Sequence, residues 1–253
     1  MGSLLNRIAA IAVFLIAQAA LAGAAELKVY STIGVKSAIE ELAPKFEKAT
    51  GDKLNISWGL ISGFTKKAQE GDVPDVLIVS KASIDSLTKD GKIAGGATLG
   101  SSIFAFGVKQ GAAKPDISTV DALKKTLLAA RAIGYTDPAA GGASGAYFSK
   151  MIEKLGIADA IKSKSKFPSP AGFVGTLLTD GQVDLAFQSK PELTTTEGVD
   201  VVGPPPGDLG HSNTFAAGVG VKSPNTAAGE ALVKFLTAPD AKAVFKSKGF
   251  DPA

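Results

Sequence analysis

Thr136-Asp137-Pro138-Ala139-Ala140-Gly141-Gly142-Ala143-Ser144-Gly145-Ala146-Tyr147 is the stretch on which the reading of the fold turns. It follows a short apolar run, Ala132 to Tyr135, which reads as a strand. It precedes Tyr147 to Leu155, where apolar residues recur at helical spacing until Gly156. The unit is a strand, a glycine-rich turn and a helix start. Backbone N–H groups at such a start point outward, the helix dipole adds partial positive charge, and Ser144 adds a hydroxyl. Together they hold a small anion without a cationic side chain. The alternative is a bare turn whose glycines serve only backbone geometry.

The same alternation continues outward. Leu27 to Ser31 reads as a strand, and Val35, Ile39, Leu42, Phe46 and Ala49 form a helical stripe closed by Gly51. Pro44 inside that stripe predicts a kink or a break. Leu54 to Trp58 reads as a second strand, Gly59 to Gly63 as a loop, and Phe64 to Glu70 as a helix. Pro74 to Ser80 reads as a strand covered on both faces, followed by a helix over Ala82 to Asp90. Ser102 to Val108 is a further strand, and Ser118 with Asp121 reads as a capping box for a helix over Val120 to Ala130. Beyond the glycine turn, Ala171 to Thr179 is predicted helical, and Gln182 to Ser189 and Gly198 to Val202 are predicted strands. Gly203-Pro204-Pro205-Pro206-Gly207 punctuates the chain before a strand over Asn213 to Val221 and helices over Ala227 to Leu236 and Ala241 to Lys248. This order predicts an α/β layered fold.

Composition narrows the function classes. Residues 1–25 read as a secretory signal peptide: Arg7 is the only charge before Glu26, and Ile8 to Leu21 is apolar or small apart from Gln18. With no cysteine, disulfides, thiolate chemistry and a lipidated N-terminal cysteine are excluded, so the mature chain is expected free in the periplasm. The net charge is +3, carried by lysines spread along predicted helices, with Arg131 the only arginine after the leader. That is a solvated surface and not a nucleic-acid patch. His211 is the only histidine, so most nucleophile–base pairs are unavailable. At a lobe crossing it reads either as a pH sensor or as a surface-loop residue. Phosphate-loop, dinucleotide and zinc motifs are missing, and no adjacent tyrosines stand ready for a metal. The expectation is a non-enzyme with no cofactor and no metal.

Several stretches, in order, resemble one family, the periplasmic solute-binding proteins of ABC importers in their molybdate-binding-like group. These are Leu27 to Ser37, Gly71-Asp72-Val73-Pro74-Asp75-Val76, Asp137-Pro138 with Ser144-Gly145-Ala146-Tyr147, and Lys248-Gly249-Phe250. The resemblance covers essentially the whole mature chain. It implies a two-lobed α/β periplasmic-binding fold (type II), each lobe a mixed sheet flanked by helices, with two hinge crossings. Lobe one would be residues 26–104 plus 212–253, and lobe two residues 105–211. It also implies a ligand set of hydroxyls and backbone amides at Thr32-Ile33-Gly34, Ile61-Ser62, Ala143-Ser144, Gly172-Phe173 and Phe187. The chain departs from the family pattern twice. A serine is expected near Gly34, where only Ser31 and Thr32 are close, and a tyrosine is expected where Phe187 stands.

A water-poor cleft favours neutral donors, because a buried lysine costs more desolvation. Phe187 makes the pocket partly apolar, which suits a small di- or tricarboxylate as well as a molybdate-like oxyanion. Gln188, Ser189 and Lys190 offer a substitute donor or a solvated strand end. Trp58 reads as a cleft flank or as core packing. The expected function is a monomer that closes on one small anion and delivers it to an inner-membrane ABC permease. The alternative is a ligand-sensing protein that presents the same cleft to a signalling receptor. A hydrolase fits less well, since no glycine-x-serine-x-glycine elbow accompanies His211.

Overall fold

The computed structural model describes residues 24–169 and 172–253, so the leader reading lies outside the described residues except at Ala24 and Ala25. The chain forms a mixed sheet in the order β2-β1-β3-β9-β4-β7-β5-β6, with β8 and β10 pairing with β4. These strands are β1 (Glu26–Thr32), β2 (Lys53–Gly59), β3 (Val76–Ser80), β4 (Ile93–Lys109), β5 (Ile133–Tyr135), β6 (Ser165–Lys166), β7 (Leu185–Ser189), β8 (Val199–Gly203), β9 (Ser212–Gly220) and β10 (Asp251–Pro252). Strands β1, β2 and β3 run parallel, as do β5, β6 and β7, while β9 and β4 are antiparallel to their neighbours.

Two lobes follow from how β4 is used. It pairs with β9 as far as Ile103, then with β7 from Phe104 onward. The first lobe has a core on each face of its sheet, one around Val29, Phe46 and Phe245, the other around Leu77, Ile84 and Phe64. The second repeats this, around Phe106, Phe148 and Phe187 on one face and Val174, Leu177 and Val183 on the other. Burial on both faces is why the parallel strands read as apolar runs.

Most predicted elements sit within a residue or two of the observed ones. The differences are physical. The stripe with Pro44 forms one continuous helix, α1 (Lys36–Thr50), with Pro44 inside it. Ile39, Leu42 and Phe46 bury one face of α1 in the core, and that packing outweighs the lost backbone bond. Strand β4 begins at Ile93, well before the predicted Ser102, because Gly95, Gly96 and Gly100 lie within it; the register shifts between Ala94 and Ala97 and again between Thr98 and Gly100. Those glycines mark bulges, not a loop. Helix α4 (Val120–Ala129), which follows α2 (Ile61–Gln69) and α3 (Lys81–Lys89), is capped by Thr119. Thr119 Oγ1 accepts from the Ala122 amide at 3.1 Å, while Ser118 donates to Asp116. The remaining helices are α5 (Ala143–Lys154), α6 (Ala158–Lys162), α7 (Gly175–Thr179), α8 (Lys190–Thr194), α9 (Thr226–Leu236) and α10 (Pro239–Ser247). No helix of the described residues is long and apolar enough to cross a membrane.

Candidate functional site

In sheets of this kind the open crevice lies beyond the carboxyl ends of the parallel strands. Here those ends come from both lobes. Thr32 ends β1, Leu60 follows β2, Thr136 follows β5 and Ser189 ends β7, and all four line one interlobe cavity of about 30 Å³. Ile33, Gly34, Ile61, Phe104, Gly142, Ala143, Ser144, Glu192, Asn213 and Phe215 complete its wall. A second cavity, about 160 Å³, shares Leu60 and Thr136 with the first and is bounded by Asp137, Ala140, Phe167, Pro168 and Ser169.

Two helices begin at this cavity, one from each lobe. Helix α2 starts at Ile61 behind Leu60, and α5 starts at Ala143 behind Gly142; neither cap residue supplies a side-chain acceptor. The first amides of a helix have no intrahelical carbonyl within reach. In α5, Thr136 Oγ1 takes the Gly145 amide at 2.9 Å and the Gly142 carbonyl takes the Ala146 amide. Ala143 and Ser144 precede both. Each helix start therefore presents N–H groups and positive dipole to the same small volume.

The glycine turn is built to bring these starts together. A Cβ on Gly145 would stand 1.7 Å from the Thr136 carbonyl oxygen, so only glycine lets α5 lie this close to the end of β5. Gly141 has φ +84°, and a Cβ there would stand 1.7 Å from Ser62 Oγ. Ser62 Oγ instead donates to the Gly141 carbonyl at 3.1 Å, a direct bond between α2 in one lobe and the turn in the other. Ser144 Oγ pairs with Thr136 Oγ1 at 2.9 Å.

The structure brings Thr32, Ile33, Gly34, Ile61, Ala143 and Ser144 to the cavity wall; Ser62 is not among the wall residues, and its hydroxyl is spent on the Gly141 carbonyl of the other lobe. It does not bring Gly172, Phe173 or Phe187 there. Gly172 and Phe173 sit in the turn before α7, whose first amide neighbour, Val174 N–H, is taken at 2.8 Å by Gln188 Oε1. Phe187 has no exposure and packs between Phe104, Phe106 and Phe148 in the second lobe's core, so it is a packing residue on β7. Trp58 packs against the first lobe's core and is not among the residues of the cavity wall. His211 stacks on Tyr147 at 4.5 Å between ring centroids, while Tyr147 Oη donates to the Leu209 carbonyl. That arrangement braces the second crossing.

Sequence reasoning missed Glu192. It is 7% exposed and, among the described residues, is the sole ionisable side chain on the cavity wall. Ser189 Oγ donates to Glu192 Oε2, and Gln188 Nε2 donates to Oε1 at 2.7 Å. Gln188 is itself fully buried, and because its oxygen is committed to Val174 N–H, its nitrogen must face Glu192. Burial pushes the Glu192 carboxyl up from its ordinary 4.5 to about 7, with the bonds from Ser189 and Gln188 opposing that rise. A signal was present: Ser189-Lys190-Pro191-Glu192 has capping-box spacing, with proline at the first helical turn of α8. Among the described residues no cluster of His, Asp and Glu is placed to hold a metal ion.

Comparison with known proteins bears on the family and the fold. The family model described as bacterial extracellular solute-binding protein matches residues 27–251. An aconitate isomerase from Pseudomonas sp is 33% identical over 234 residues, covering 89% of this chain and 87% of that one. The molybdate-binding protein ModA of Azotobacter vinelandii is 28% identical over 245 residues, with 92% of each chain covered. The solved structure of an Azotobacter vinelandii periplasmic molybdate-binding protein superposes with a TM-score of 0.71 at 20% identity, covering 90% of this chain and 99% of that one.

Proposed function

The chain belongs to the bacterial extracellular solute-binding protein family, and from that premise we propose that it binds a small organic polyanion, a di- or tricarboxylate, between its lobes. One observation carries the reading: two helix starts from opposite lobes, neither with a side-chain cap, face one cavity whose wall, among the described residues, holds no lysine or arginine. Such a site favours a guest that offers acceptors only. The adjoining cavity, with Phe167, Pro168 and Leu60 on its wall, supports a carbon skeleton over a bare oxyanion. In this reading the leader is removed on export to the periplasm, lobe closure traps the ligand, and the closed form is offered to an inner-membrane ABC permease.

A second reading follows from Glu192. A carboxylate on the wall of an anion site repels the guest, so its presence favours a chemical role. The relative named aconitate isomerase suggests which one: moving the double bond of an unsaturated tricarboxylate such as aconitate, propene-1,2,3-tricarboxylate. Binding is common to both readings and is tested first. A thermal-shift screen of the full chain against molybdate, sulfate and a panel of di- and tricarboxylates should raise the melting temperature for the carboxylates, because a ligand that binds only the folded state stabilises it by mass action. A shift with molybdate alone would overturn the polycarboxylate assignment.

A further inference from the structure

The Glu192 carboxyl stands among neutral neighbours, with Ser189 and Gln188 bonding it and Phe104, Phe215 and Ile33 on the same wall. Its orientation is fixed, since the chain Val174 N–H to Gln188 to Glu192 leaves the amide one way round. An ionised carboxylate opposes anion binding. A site that moves protons on carbon needs a base, and this carboxyl can serve as one. On the same wall, the Ala143 and Ser144 amides, the one hydroxyl proton that the Ser144–Thr136 pair leaves free and the Thr32 hydroxyl are placed to take up negative charge that develops on a ligand carboxylate.

We propose that Glu192 is the catalytic acid–base of this cleft, carrying one proton between the two ends of the allylic unit of an unsaturated di- or tricarboxylate. This rests on the second reading above. The Glu192 carboxylate takes a proton from the methylene carbon. The electron pair of that C–H bond becomes the new double bond to the central carbon. The old double-bond pair takes the proton back from Glu192 at the far carbon. One C–H bond breaks and one forms, the double bond moves across the central carbon in either geometry, and no oxidant or other reactant is consumed. Ser189 and Gln188 are positioning residues that hold the carboxylate toward the ligand.

The test uses the full chain and the cis isomer of propene-1,2,3-tricarboxylate. Its conversion to the trans isomer is followed by proton NMR, with affinity measured by calorimetry. Wild type should convert it, and Glu192→Gln should lose about 100-fold or more of the rate while its affinity stays within about tenfold. The wild-type kcat/KM should rise with pH through about 7, since the base must be ionised in the free protein. Retention of the rate within about threefold by Glu192→Gln would overturn the proposal. Tight binding without conversion by wild type would overturn it too, leaving the binding reading intact, whereas failure to bind removes both. Should Glu192→Gln not fold, the wild-type profile decides, and a flat profile from about pH 5 to about pH 9 counts against Glu192.

Discussion

Replacing Glu192 by glutamine should change how stability depends on pH, whatever the ligand. The folded protein holds the Glu192 proton with a pKa of about 7 against 4.5 for the free group. At about 1.4 kcal/mol per tenfold in proton affinity, burial of this carboxyl is linked to about 3 kcal/mol. Because the folded value is raised, that contribution is fully present below 4.5, declines as pH climbs from 4.5 to about 7, and is gone above. Glutamine keeps the shape and cannot ionise. It does lose an acceptor for Ser189, so the absolute offset between the two proteins mixes several effects; the slope isolates the proton. Urea unfolding of both proteins, from about pH 4 to about pH 8, should show wild type losing about 3 kcal/mol relative to Glu192→Gln. A difference that stays constant across that range would refute the claim that this carboxyl is buried in a site without a compensating cation.

Other perturbations test the cleft and its supports. Ser62→Ala and Ser144→Ala should each weaken ligand binding by about 1 kcal/mol, roughly fivefold, in calorimetric titration; unchanged affinity in both would remove these hydroxyls from the site. Gly141→Ala places a methyl against Ser62 Oγ on a backbone with φ +84°, so small-angle scattering should report a more open particle and affinity should fall. Asp75 accepts from the Lys28 amide at 2.8 Å, from Ser223 Oγ and from Asn225 Nδ2, tying the start of α9 to β1. Asp75→Ala should cost about 2–3 kcal/mol in urea unfolding and leave ligand affinity unchanged.

What the sequence revealed tracks what local chemistry decides. The glycine turn was legible because close approach and positive φ admit few other residues: Gly141 meets both conditions and Gly145 the first. Thr32 and Ile61 were reached only through family resemblance, since a strand end carries no mark of facing a cleft. Phe187 shows the limit of that route. The family position carried over, but a side chain without a hydroxyl has nothing to gain at a polar wall and packs inward with Phe104, Phe106 and Phe148. Glu192 was hidden for the opposite reason. Its capping-box spacing looks like an ordinary surface helix start, and only the docking of α8 beside β4 and β7 buries it. Strand β4 was cut short because glycines inside a strand and glycines in a loop look alike until the partner strand is known.

That strand has a mechanical consequence. Along its 17 residues β4 serves one lobe and then the other, exchanging β9 for β7 between Ile103 and Phe104 without a break. A pivot made this way is also a splice. Neither half can melt without stripping the edge from its sibling, so calorimetry of the unliganded chain should record a single endotherm, where two beads on a slack tether would give a pair.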